Sequence, residues 1–416
     1  MPDTAVEDTE QQHKPAPFRS VWANREFRGL TGAYLCTLAG DQLARVALTL
    51  LVYSATASSL AAASAYAVTL LPGLVGGPLL GAVADRYPRR AVMVACDALG
   101  AVLAVALAIP GMPLAVLFCV VFAVSLLAMP FGAARSSLVR DIFPDTAEYG
   151  AATTISSVTV RMSQVLGFTT GGVLVAVIGA RHALLVDAAS FAVSAVVVRA
   201  MVAARPAAAA SRARVGHFAE MAAGVRLVFG DRKLRVLTGY AWLASFYVVP
   251  AGVVAPYAAR HGGGPVAVGA LLAAVAVGSG VSMVLLIRIK DPERRMRLMN
   301  PLALLAVVPL VVCGLDPAMP VTALLWGLSG FGAGHQLIAN VAFVSTVPSD
   351  RRGQGFALVN GGMVAGQGAA VLATGALAQA IGPALVVAGS GAAGTAAVLA
   401  LAYWSKDRAS TELHAA

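Results

Sequence analysis

The stretch Gly73-Leu-Val-Gly-Gly77-Pro-Leu-Leu-Gly81-Ala-Val-Ala-Asp85-Arg86-Tyr-Pro-Arg89-Arg90 decides the fold. Gly73, Gly77, Gly81 and Asp85 recur every four residues, so on a helix they share one face. That face is a stripe of small residues ending in a carboxylate. Inside a bilayer such a stripe lets a second helix approach closely, and helix association there depends on packing of this kind. The carboxylate suits the positive N-terminal end of a neighbouring helix. Arg86, Arg89 and Arg90 follow at once, as basic residues do where an apolar run leaves the membrane on its cytoplasmic side.

Outward from this stretch the chain has the same character. Only 12% of its 416 residues are charged, against ~25% in ordinary soluble proteins, and 58% are hydrophobic. Mean hydropathy is +0.79. A soluble surface cannot be covered at that charge density. A bilayer span needs ~20 apolar residues. Apolar segments run roughly 29–53, 61–84, 91–110, 114–138, 150–178 and 183–204, then 236–259, 265–288, 299–315, 320–345, 354–381 and 384–404. The sequence therefore predicts an all-α membrane protein of twelve transmembrane helices. Residues 1–28 form a polar tail, 29–204 an N-terminal six-helix bundle, 205–235 a linker, 236–404 a C-terminal six-helix bundle and 405–416 a second tail.

Basic residues collect after the second, fourth, eighth and tenth segments: Arg86/Arg89/Arg90, Arg140, Arg288/Lys290/Arg294/Arg295/Arg297 and Arg351/Arg352. The connections after the first, third and fifth are almost uncharged, apart from Arg181. The positive-inside rule then expects both termini and the linker in the cytoplasm of a cell whose inner (plasma) membrane holds the protein. The net charge of +10 is thus a topology signal, and no nucleic-acid partner is expected. Cys36, Cys96, Cys119 and Cys313 all lie in apolar runs without metal-type spacing, so packing is their expected role and no metal is implied. No Walker sequence, Ser-His-Asp order or HExxH occurs, which argues against an ATP-driven pump and against an enzyme. The tract Gly330-Phe-Gly332-Ala-Gly334 lacks the Lys-Ser/Thr of a phosphate loop and reads as helix packing.

In the linker, Phe218, Met221, Val225 and Val228 recur at helical spacing among charged residues, which predicts an amphipathic helix lying on the inner leaflet. The two halves read as a repeat. Leu30-Thr31-Gly32 opens the first segment and Leu237-Thr238-Gly239 the seventh, while Gly150, Gln164, Gly172 and Gly179 match Gly353, Gln367, Gly375 and Gly382 at an offset of 203. Two parallel six-helix halves place a substrate path between them.

The run Gly81 to Arg90, with Asp85, Arg86, Arg89 and Arg90 in place, resembles the loop between helices two and three of the major facilitator superfamily; Pro88 stands where that family often has Gly. The resemblance implies the fold of two pseudo-symmetric six-helix bundles and a conformational gate in which Asp85 meets the eleventh helix. A finer resemblance is to its drug, macrolide and siderophore efflux branch, whose members are drug:proton antiporters. It rests on Gly40-Asp41, Asp97, Pro130-Phe-Gly-Ala-Ala-Arg135 and Leu185-Val-Asp187-Ala-Ala-Ser190-Phe. Gly167-Phe168-Thr-Thr-Gly171-Gly172 is similar to the family's antiporter motif with Phe168 in place of proline; a helix-packing face accounts for Gly167, Gly171 and Gly172 equally well.

An ionisable group inside a span costs at least ~2.5–3.5 kcal/mol, so it faces a cavity or a partner. Asp41 lies mid-segment with Arg45 one turn away and Arg161 in the fifth segment, which makes these three the proton-coupling candidates; a permanent ion pair is the competing reading. Asp97 and Asp187 lie nearer segment ends, where wetting or a structural role is open. Gln164, Trp242, Phe246, His335, Gln336, Asn340, Asn360 and Gln367 mix amides and aromatics and are the candidates for lining a substrate cavity. The expectation is a secondary transporter working by alternating access, driven by the proton motive force without a cofactor, exporting a drug-like or natural-product small molecule, and functional as a monomer in the lipid bilayer. An importer or facilitator on the same fold, and a membrane sensor or scaffold using the linker helix, are the alternatives.

Overall fold

The computed structural model describes residues 18–73, 86–205, 217–348 and 351–413. Every regular element among them is helical. The N-terminal half comprises α1 (Phe18–Ala23), α2 (Arg25–Thr56), α3 (Ser59–Val68), α4 (Arg89–Leu107), α5 (Leu114–Ile142), α6 (Thr146–Ile178) and α7 (Ala180–Met201). After α8 (His217–Gly230) come α9 (Arg232–Trp242), α10 (Ala244–Tyr247), α11 (Val249–Gly252), α12 (Val254–Arg260), α13 (Pro265–Arg288), α14 (Pro292–Val312), α15 (Met319–Gly332), α16 (His335–Thr346), α17 (Arg352–Ile381) and α18 (Pro383–Leu413).

Several starts are written in the sequence. Asn24, Ser58, Asp145, Asp231 and Asp291 each accept a hydrogen bond from a backbone N–H of the first turn that follows, satisfying a donor the helix cannot pair itself. Among the described residues, eight stretches are long and apolar enough to cross a membrane, or nine if the bent run 232–260 counts as one. One of the eight, Thr146–Met201, holds both α6 and α7. With these two separated, and with α3 and the pair α15–α16 included, the helices fall on the twelve segments read from the sequence, the second being described only to Gly73. Val102, Val177, Val196, Leu324 and Leu399 are more than half exposed, a surface that suits lipid and not water.

The repeat has a structural counterpart. Gly179 and Gly382 stop α6 and α17 with the same backbone turn, φ +81° and +86° with ψ 160° and 154°, a region open to glycine. The seventh segment departs from a single rod: α9 to α12 are short pieces with an overall bend of 45°, and Pro250 and Pro256 each remove a backbone donor along it. The tenth is likewise broken, between Gly332 and His335.

Within the N-terminal half α2 packs on α6 and α7, and α4 on α5 and α7; in the other half α14 packs on α15 and α18, and α13 on α15. The two most extensive crossings between the halves are α6 on α13 and α3 on α17, each the repeat image of the other. At the first, a Cβ on Gly172 would lie 2.9 Å from both the Gly269 Cα and the Pro265 carbonyl oxygen. At the second, Gly375 sits against Ala63 and Ser59, and Gln379 Nε2 donates to Ser58 Oγ at 2.9 Å. These contacts lie toward the end of the bundle that carries Ser58, Gly179 and Gly382, hereafter the far end. Arg260 Nε donates to Asp316 Oδ2 at 2.8 Å at the same end. The halves meet at the far end.

The linker helix forms as α8, yet it does not simply lie beside the bundle. A Cβ on Gly224 would meet the Gln354 carbonyl oxygen of α17 at 2.7 Å, and Val228 is fully buried with Leu234, Tyr240 and Phe343. Val225 and Phe229 remain as its exposed apolar pair. The side chains of Phe218 and Met221 lie outside the described residues.

Candidate functional site

α2 positions the site. Tyr34, Thr37, Asp41 and Arg45 follow one another at three- and four-residue steps, so they form one polar stripe along the helix. The stripe lines a cavity of about 460 Å³ in the N-terminal half, with Asp97 of α4 and Asp187 of α7 opposite. Asp97 and Asp187 are 1% and 2% exposed, which removes the wetted-end reading of both. Asp97 Oδ2 accepts from Ser194 Oγ at 2.6 Å, and Asp187 Oδ1 accepts from Ser190 Oγ at 3.4 Å. Gly40 makes this possible: a methyl there would overlap Ser190 Oγ and the Asp187 carboxylate, so only glycine lets α7 lie this close to α2. Gly40→Ala should therefore force the helices apart at a typical overpacking cost of ~1–3 kcal/mol. The expected outcome is a thermal midpoint several degrees lower in detergent, followed by intrinsic fluorescence; an unchanged midpoint would show that the two side chains swing away freely.

Ion pairing inside the cavity differs from the expectation. Neither Arg45 nor Arg161 lies within 4 Å of Asp41 as a salt bridge among the described residues. The Arg45 guanidinium stands over the Tyr66 ring, 5.8 Å from its centroid. Arg161 is not in the cavity wall at all; its Nη1 donates to Gln164 Oε1 at 3.1 Å. The reason is rotational: Arg161 and Gln164, three apart on α6, satisfy each other before either reaches α2. The cavity thus holds three carboxylates and one guanidinium, and each carboxylate not neutralised by a partner is a place to keep a proton. Thr37 Oγ1 lines the same cavity, 6% exposed and without a hydrogen-bond partner in the protein.

A second hollow of about 230 Å³ is lined by Arg135, Tyr149, Thr153, Ser156, Ser157 and their neighbours. Arg135 stands over the Tyr34 ring at 3.8 Å and donates to Ser156 Oγ at 3.2 Å. Tyr34 faces the carboxylate cavity and Arg135 the second hollow, so this stacked pair is the partition between them. In the sequence Arg135 stands out only as the end of the run Pro130–Arg135, and Tyr34 and Thr37 belong to no motif. Their spacing with Asp41 on α2 was the available signal.

The C-terminal half gathers three of the expected cavity residues: Gln336, Asn340 and Asn360 line a space of about 150 Å³ with Phe343, Phe356 and Met363. The rest are engaged elsewhere. Trp242 Nε1 donates to the Val359 carbonyl oxygen at 3.0 Å with its ring against Gly362, and Phe246 packs on Gly394. Gln164 is held by Arg161, Gln367 lines none of these three cavities, and His335 is fully buried between backbone carbonyls.

A sequence model of the family described as Major Facilitator Superfamily matches residues 30–342, well over half of the chain. The chain belongs to that superfamily. Solved structures agree on the fold. A POT family transporter in complex with a thioalcohol-conjugated peptide is 13% identical, with 92% of this chain and 96% of that chain covered and a TM-score of 0.74. The nucleoside transporter NupG is 16% identical, with 90% and 99% covered and a TM-score of 0.68. A bacterial homologue of the human lysosomal transporter Spinster, inward-facing and occupied, is 16% identical, with 93% and 94% covered and a TM-score of 0.67. No curated protein sequence gives a match.

In this major facilitator protein the run Gly81 to Arg90 is seen in part. Gly81 and Asp85 lie outside the described residues. Arg86 is exposed, Arg89 pairs with Asp141 at the end of α5, and Arg90 Nη1 donates to the Val202 carbonyl oxygen at 3.2 Å. Both inner arginines therefore tie the start of α4 to the ends of α5 and α7. The antiporter-like glycines are packing positions. A Cβ on Gly167 would crowd Gln42 at 2.6 Å, one on Gly171 would come within 3.0 Å of Leu43 Cα, and Gly172 makes the crossing to α13.

Proposed function

We propose that this multi-pass membrane protein is a proton-coupled exporter of a drug-like or natural-product small molecule. It would sit in the inner (plasma) membrane with both termini cytoplasmic and work as a monomer by alternating access between the bundles 29–204 and 236–404. The observation that carries the reading is the cavity of three carboxylates against one guanidinium in the N-terminal half. Mid-membrane carboxylates without a fixed partner bind protons differently when the cavity faces different sides, and that difference is what a gradient drives. The proton motive force is the energy source and no cofactor enters. The contacts between the halves at the far end suit one of the two states such a cycle needs.

The test is accumulation of a panel of antibiotics, siderophores, peptides and nucleosides in cells with and without the protein, repeated with a protonophore. Lower accumulation that the protonophore abolishes supports export. Higher accumulation of a peptide or nucleoside, the compound classes in the neighbours' names, would instead support an importer.

The gate gives a further expectation. Asp85→Asn should insert normally but slow transport severalfold, because a neutral amide answers a helix N-terminus less well by ~0.3–2 kcal/mol. Initial rates in vesicles matched for protein content would show it. Wild-type rates would reduce Asp85 to a residue that sets topology.

A further inference from the structure

The second hollow, behind the Tyr34–Arg135 partition, has the opposite charge to the first cavity. Arg135 and Ser136 of α5 face Tyr149, Ser156 and Ser157 of α6 across about 230 Å³, and no acidic side chain lines the space. That volume is several times the ~30 Å³ share of one water. The carboxylates nearest to it in sequence do not supply a counter-charge. Asp141 pairs with Arg89, Asp145 caps the start of α6, and Glu148 forms no ion pair among the described residues.

We infer that this hollow binds an oxyanion, a phosphate or carboxylate group, with Arg135 as its principal ligand. One face of the Arg135 guanidinium is covered by the Tyr34 ring at 3.8 Å, which fixes its plane and leaves its in-plane N–H groups to find acceptors. Nη1 donates to Ser156 Oγ at 3.2 Å, and Nε is buried with no partner. No ion pair reaches Arg135 among the described residues. A guanidinium withdrawn from water without a counter-charge is costly. An oxyanion offers the parallel acceptors that its fork fits, in charge-assisted bonds about twice as strong as neutral ones.

Two neutral donors face the same space. Ser136 is exposed on the hollow and makes no hydrogen bond among the described residues. The Tyr149 oxygen accepts from Arg140 Nη2 at 3.5 Å, which leaves its own O–H to donate, and Arg140 adds a second positive charge 5.3 Å from the Tyr149 ring centroid. The hydroxyls of Ser156 and Ser157 donate to carbonyls one turn back on α6, so the positive potential comes from the arginines. Arg135 lies five residues, or ~7.5 Å, inside Arg140, which stands in the last turn of α5. Ser157 is one turn from Arg161, whose electrostatic partner is Tyr247 of the other half. The hollow therefore opens onto the space between the halves, within reach of a dissolved anion and of a lipid phosphate at the rim.

This inference is separate from the proton-coupled reading, which rests on the first cavity, and its test needs neither gradient nor transport. In the full-length protein with Cys36, Cys96, Cys119 and Cys313 replaced by alanine, Ser157→Cys places a reporter at the exposed edge of the hollow. A sulfonate-bearing methanethiosulfonate should react there severalfold faster than its trimethylammonium counterpart, and Arg135→Gln should remove the preference. In detergent, millimolar inorganic phosphate should slow a neutral maleimide severalfold and saturably. Equal slowing by chloride at matched ionic strength, or slowing that survives Arg135→Gln, would overturn the site. A second arm separates the sources: nanodiscs of phosphatidylcholine with and without phosphatidylglycerol, in the absence of phosphate. Protection by phosphatidylglycerol that Arg135→Gln abolishes assigns the oxyanion to a headgroup, protection by phosphate alone assigns it to a dissolved anion, and protection in neither arm overturns the inference. Should Arg135→Gln fail to fold, Ser136→Ala combined with Tyr149→Phe removes the neutral donors and keeps the packing. That variant should need severalfold more phosphate for half-protection, and an unchanged requirement would overturn the site.

Discussion

Asp41→Asn should abolish uphill, pH-driven transport while substrate exchange without a gradient continues. Each coupled proton moved down one pH unit supplies ~1.4 kcal/mol, enough for about a tenfold concentration ratio of substrate. A carrier that no longer binds that proton should fall from this ratio to simple equilibration. Asp41 is the member of the carboxylate cavity that is not held by a serine, whereas Asp97 and Asp187 accept from Ser194 and Ser190. It also lies on the same stripe of α2 as Arg45, whose guanidinium is over Tyr66 and free of a salt bridge among the described residues. Protonation of Asp41 would change the net charge of the cavity without breaking an existing ion pair, so the step is cheap in both directions. Inverted vesicles with an imposed inside-acid gradient, run beside a no-gradient exchange control, measure the two activities separately, using the panel compound with the largest protein-dependent change in accumulation. Full gradient-driven accumulation by Asp41→Asn would remove it from coupling and move attention to Asp97 and Asp187.

The positions of the helices were legible because bilayer burial writes itself as unbroken apolar length. The caps at Asn24, Ser58, Asp145, Asp231 and Asp291, and the stops at Gly179 and Gly382, needed only the residue type and its place. Pairings were a different matter. Asp41 and Arg45 are four apart on one helix, and spacing alone makes them neighbours, but Tyr66 of α3 decides where the guanidinium goes. Arg161 and Gln164 likewise satisfy each other locally, which no count of residues ranks against a longer reach to α2. The carboxylates of Asp97 and Asp187 looked like segment-end groups because linear position carries no information about which face a neighbour covers. Gly40 and Ser190 bring them together with Asp41, and that is a property of the α2–α7 crossing. His335 read as a cavity-lining candidate, but its ring nitrogens face backbone carbonyls, which a sequence cannot display.

Gly172→Val should open the far end. The added side chain would begin 2.9 Å from the Gly269 Cα and the Pro265 carbonyl oxygen, and neither backbone atom can rotate out of the way. Overpacking of this sort costs ~1–3 kcal/mol. The contact joins α6 to α13, across the halves, so the cost falls on the closed far end and leaves each half's own packing intact. A two-state equilibrium should shift by roughly 5- to 150-fold toward the arrangement in which the crossing is parted. Ser59 reports on it, being 7% exposed beneath Gly375 at the companion crossing. In detergent, Ser59→Cys should react with a maleimide faster by a similar factor once Gly172→Val is present. Gly167→Val is the contrasting variant, because its methyls would strike Gln42 and the Ala39 backbone within the same half. It should lower the thermal midpoint and leave the labelling rate of the folded fraction unchanged. Equal labelling with and without Gly172→Val would mean that the α6–α13 crossing is a fixed joint, and that alternating access, if it occurs, pivots elsewhere.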